Sequence, residues 1–155
     1  MLRASTLTAS CTGLEKEGTC VTYALGLTED AIYRFVATRF QRKIFAGRDL
    51  IEWLVQHHLR EIEPPYSHCL ALYFSDNKWE HVGVVSSAGR VVSQWGTFPV
   101  YDHPLLEIPA RYGDAVRYFH SPGKAEALRL FLEYAKTWGL SDSDIDVAIR
   151  AAGDK

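Results

Sequence analysis

The chain of 155 residues is short of sulfur: it has one methionine and three cysteines, Cys11, Cys20 and Cys69. An odd and small cysteine count excludes a disulfide scaffold, and reduced thiols are the expected state. A Cys11–Cys20 bridge is the one pairing that would matter, because it would disable the thiol singled out below. No apolar run is long enough to span a membrane. The opening residues, MLRASTLTAS, carry one arginine and no apolar segment after it, so no secretory signal is read there. A cytoplasmic chain is therefore the expectation, with delivery as an effector by a dedicated exporter as the other route. An excess of one charge is missing too. The 17 basic and 19 acidic residues leave −2, no basic stretch stands out, and nucleic acid is a poor partner. Internal repeats and low-complexity segments are also absent.

What is present is ordinary for a globular protein: 47% hydrophobic and 23% charged residues. A chain this long suits one domain and buries roughly 70% of the surface exposed when unfolded. Residues 1 to 17 are polar and read as an arm. Cys20 to Leu25 predicts a short helix that Gly26 ends in the left-handed conformation. Thr28 is then the expected cap of a second helix, with Glu29 and Asp30 in its first turn and Ile32, Phe35, Val36 and Phe40 at helical spacing. A third helix runs from Arg48 to Leu59, with Leu50, Ile51, Leu54 and Val55 on one face. Pro64-Pro65 forbids a helix interior, so Arg60 to Tyr66 reads as the link to a sheet.

Three strands follow, Cys69–Phe74, Glu80–Ser86 and Arg90–Trp95, turned at Asp76-Asn77-Lys78 and Ser87-Ala88-Gly89. Loops this short make antiparallel neighbours. Residues 96 to 113 show no period and hold Pro99, Pro104 and Pro109, as a long functional loop does. Residues 114 to 120 alternate like a strand. Ser121-Pro122 opens a helix with Leu128, Phe131, Leu132 and Ala135 on its apolar face, closed by Gly139. Ser141 and Asp144 form a capping box for the last helix, with Ile145, Ala148 and Ile149 turned inward. The expected class is α+β: N-terminal helices on a small antiparallel sheet, then two C-terminal helices. One domain contains an arm (1–17), a core (18–119) and a helical extension (121–155).

The chemistry centres on Cys20, which follows Gly18-Thr19 at a helix start, where the positive helix end favours thiolate. His81 heads the apolar strand Glu80-His81-Val82-Gly83-Val84-Val85. A thiol at a helix terminus facing an imidazole on a separate rigid element suits nucleophilic acyl transfer. A third polar group from the neighbouring strand, Arg90–Trp95, would orient the ring. Each residue also has a plainer reading. Cys20 suits a small buried apolar position, His81 a solvated strand end, and Ser93 or Gln94 a plain strand position. Cys69 reads as core, and His103 and His120 as surface residues. His57, His58, His68 and Cys69 lie close in sequence. Helix neighbours diverge by about 100°, though, and the spacing fits no zinc pattern, so neither metal nor cofactor is expected. Trp79, Trp95, Phe98 and Tyr101 are expected around a cleft entrance, as packing or as the lining of a peptide groove.

The segment CLALYFSDNKWEHVGVVSSAGRVVSQWG resembles the sheet of NlpC-type, papain-like cysteine peptidases and amidases. There a Cys-bearing helix precedes a short apolar strand, a His-Val-Gly strand, a glycine turn and a strand with the third catalytic residue. The resemblance covers roughly residues 18 to 119 and implies Cys20 as nucleophile, His81 as base and Ser93 at the third position. The family commonly has His at that third position, and Asp before the nucleophile with Ser-Gly after it; this chain reads Gly-Thr-Cys-Val-Thr. The implied activity is hydrolysis of an amide, isopeptide or ester bond in a peptide or acyl substrate held in a cleft. The alternative is a catalytically inactive papain-like fold that binds or regulates a partner. A third reading is an interaction domain that self-associates through its C-terminal helices.

Overall fold

A computed structural model describes residues 10–13, 19–40, 44–87, 89–95, 99–105, 113 and 115–153. In chain order the elements are β1 (Ser10–Gly13), α1 (Cys20–Leu25), α2 (Ala31–Arg39), α3 (Arg48–His57), β2 (Glu61–Ile62), β3 (Leu70–Ser75), β4 (Lys78–Ser87), β5 (Arg90–Gln94), β6 (Val100–Pro104), β7 (Ala115–Phe119), α4 (Lys124–Thr137) and α5 (Asp142–Gly153). The strands form one antiparallel sheet in the order β1-β6-β5-β4-β3-β7-β2. The α+β class and the three central strands match expectation. Cys69 lies just before β3 and is buried, as core.

Strand alternation divides the sheet into two faces. Leu70, Leu72, Phe74, Trp79, Val82 and Phe119 point to one, where Leu50, Ile51 and Leu54 of α3 and Phe131 and Tyr134 of α4 complete the main core. Cys69, Ala71, Tyr73, Val85, Val91 and Trp95 form a second cluster on the other face. Burial on both faces explains why CLALYF is continuously apolar rather than alternating. At Tyr73 the pairing of β3 with β4 slips. Tyr73 opposes His81 and Phe74 opposes Trp79, so Glu80 is an extra residue in β4.

Several boundaries differ from the sequence reading. The expected arm contains β1, which pairs with β6, and the expected 60–66 link contains β2, which pairs with β7. The expected 96–113 loop contains β6, bonded to both β5 and β1. Pro99 stands just before β6 and Pro104 is its last residue. Strand ends lose least from a missing N–H, so two prolines that read as loop instead bracket a strand. Helix α2 is capped by Asp30, whose Oδ1 accepts from Tyr33 N at 2.8 Å, and not by Thr28. The Thr28 hydroxyl donates instead to Thr22 Oγ1 at 3.1 Å. Gly123, not Ser121, precedes α4. In α5 the Ser141–Asp144 capping box forms, but Ile149 is 48% exposed and only Ala148 is buried.

Candidate functional site

Helix α1 begins at Cys20 because Thr19 and Thr22 close a reciprocal capping box around it. Thr19 Oγ1 accepts from Thr22 N at 3.4 Å, and Thr22 Oγ1 accepts from Thr19 N at 2.8 Å. Gly26 ends the helix in the left-handed conformation, with φ 72°. The helix lies across β4 and β5 on the face of the main core, and Cys20 packs against that core. The Cys20 thiol is pushed up to about 11. Burial is the largest cause, and hydrogen bonding with the main chain of Val82 and Val21 offsets it only in part. A helix of 6 residues with its first N–H groups partly engaged by its own cap offers little positive field, so desolvation wins and the thiol stays protonated at neutral pH. Cys20 and Cys69 both carry free thiols.

His81 leaves β4 on the other face. It opposes Tyr73 across the ladder, and the two rings lie with centroids 5.5 Å apart. The imidazole is fully buried, and its pKa is lowered to about 3, first by burial and then by His103. Cys20 belongs to α1, which packs on the main-core face of β4, and its thiol meets the main chain of Val82, next to His81 along the strand, whereas the His81 side chain leaves β4 on the other face. Among the described residues no hydrogen bond joins them.

Ser93 is also fully buried, but its partner is His103. The Ser93 hydroxyl and His103 Nε2 are 2.8 Å apart, and His103 Nδ1 is 2.8 Å from the Pro104 carbonyl. A carbonyl only accepts, so Nδ1 carries the hydrogen, and Nε2 accepts from the Ser93 hydroxyl. The Trp95 indole N–H donates to Ser93 Oγ at 3.2 Å and completes the set. Gln94 alternates to the opposite side. Extending the β4–β5 register of Val84 with Val92 by two residues sets it across from Val82, on the face where α1 packs. Of the expected residues, then, Gln94 shares a face with Cys20, whereas His81 and Ser93 do not. A carboxamide cannot accept the thiol proton as a base would.

His103, read from sequence as a surface residue, is fully buried and is the partner that reading missed. The available signal was the short stretch Val100 to His103 between two prolines, a strand too brief to show a period. His120 is exposed, as expected. The expected ring of cleft aromatics does not assemble. Trp79 belongs to the main core, while Trp95 and Tyr101 lie against each other on the second face at 4.4 Å between centroids. Phe98 lies outside the described residues. The glycine of His-Val-Gly has a packing reason: a Cβ on Gly83 would fall on Val91 Cγ1 and lie 2.9 Å from Ser93 Cβ.

Among the described residues no group of three or more His, Cys, Asp or Glu is placed to hold a metal ion, and no helix is long and apolar enough to cross a membrane. Comparison of the chain with protein-family models, with curated proteins and with solved structures finds no match.

Proposed function

We propose that this chain is a catalytically inactive module on a papain-like scaffold of the NlpC type, acting by binding a peptide or protein partner rather than by cleaving a bond. The supporting observation is that α1, with Cys20, packs on the main-core face of β4 while the His81 side chain leaves the other face. Nucleophilic catalysis needs the base within hydrogen-bond reach of the thiol. Here Cys20 is half-buried on the helical side with its pKa near 11, and His81 is neutral on the other side with its pKa near 3. Neither is tuned toward neutral pH, where an acid–base pair works best.

The papain-like hydrolase, with Cys20 attacking and His81 accepting its proton, is the second reading, and the register slip of β4 favours it. Bulges next to active sites re-aim side chains, and the extra residue Glu80 directly precedes His81. Moving that extra residue past His81 would turn the imidazole toward Cys20.

An electrophilic thiol probe separates the two readings. In an inactive module Cys20 is labelled at neutral pH more slowly than a free cysteine, and His81→Ala leaves its rate unchanged. Rapid labelling of Cys20 that His81→Ala abolishes would establish the hydrolase.

A further inference from the structure

Two fully buried imidazoles stand on strands that flank β5, His81 on β4 and His103 on β6. They act on each other electrostatically. His103 is engaged at both nitrogens: Nδ1 donates to the Pro104 carbonyl, and Nε2 accepts from the Ser93 hydroxyl, whose oxygen takes the Trp95 indole N–H. A proton arriving at Nε2 meets the hydroxyl hydrogen of Ser93, so Ser93 must turn it elsewhere and the side-chain bond from β5 to β6 is broken. Strand β6 carries β1, and both join the sheet only through β5. Just past the end of β6, the Leu105 carbonyl accepts from the Tyr73 hydroxyl of β3 at 2.6 Å. Among the described residues, the other titratable groups of this face are Tyr73, Tyr118 of β7 and Cys69, each uncharged at neutral pH with its pKa raised by burial. The charged residues nearest along the strands are engaged: Glu80 with Arg48 at 3.3 Å, Asp102 with Arg90 at 2.9 Å, and Arg117 of β7 with Glu61. Strand β1 carries no charged residue.

We propose that His81 and His103 form an acid-operated catch, whose protonation releases β6, together with β1, from β5 while the rest of the sheet stays folded. In the closed form both rings are sealed, and a proton on one repels a proton on the other. Opening at β6 carries His103 away from His81 and admits water to both. The open form therefore binds protons that the closed form refuses. Because burial, and then His103, depress His81, closure is fully favoured above about 6.5 and weakens as pH falls toward about 3. The release is local because β6 and β1 leave the end of the sheet without parting β3 from β4 or β7. The main core, with α3 and α4, lies on the opposite face. Local openings of this kind need less free energy than global unfolding. The catch does not depend on the state of Cys20.

Amide hydrogen exchange of the full chain from pH 7 to pH 4.5, corrected for the pH dependence of the chemical step, tests the catch. From pH 6 to pH 5 the opening constant at Tyr101, Asp102 and His103 is expected to rise at least about eight-fold, the share of His81 alone. Amides of β3, between β4 and β7, should change far less. His81→Leu and His103→Gln should each reduce the rise at β6. Exchange at β6 that follows the chemical step alone overturns the proposal. So does a rise at β6 matched by β3, which is global unfolding, or one that both variants retain in full. Should one variant fail to fold, the other variant and the contrast between β6 and β3 in the natural chain still decide.

Discussion

His81 contributes to stability through what it does not do, which is take up a proton. Its pKa falls from about 6.5 when unfolded to about 3 when folded, with burial first and neighbouring His103 second among the causes. For a group depressed in this way, the stabilisation is complete above the unfolded value. It is lost as pH falls from about 6.5 toward about 3, because the unfolded chain binds the proton first. Thermal unfolding at pH 7 and pH 4 should therefore show a larger loss of Tm for the natural chain than for His81→Leu; equal losses would show that the imidazole is not sealed. Ser93→Ala tests the other buried network. It removes the group that bonds His103 Nε2 and the Trp95 indole, at an expected cost of about 1–3 kcal/mol in urea unfolding. A strand residue without that network would cost only a few tenths.

At the scale of elements, Gly83 shows how motif and packing are confounded. Gly83→Ala would drive a methyl group onto Val91 and Ser93, and overpacking of this kind costs about 1–3 kcal/mol, measurable as a lower urea midpoint with an unchanged slope. A neutral substitution would mean that β4 and β5 part easily. The helices were legible because their caps and apolar periods are local. Gly26, Gly47 and the Ser141–Asp144 box mark ends that the structure retains. Strands β1 and β2 were not legible because 4 and 2 residues are too few to show a period, and β6 was not because the prolines that bracket it read as loop. Asp30 displaced Thr28 as the cap because Thr28 already bonds Thr22, a contact between turns that spacing does not reveal.

For the whole molecule, the order of Cys helix and His strand along the chain is readable from sequence, but the face from which each side chain departs is not. One extra residue in β4 decides it, since an odd insertion in a strand exchanges its two sides. The same uncertainty sent His103 to the surface in the sequence reading, when it is a buried partner of Ser93. Strand β4 thus works as a bulkhead between two compartments. With the Cys20 helix on one face and the His81 ring on the other, alkylation of Cys20 and protonation of His81 are events on different sides of the sheet.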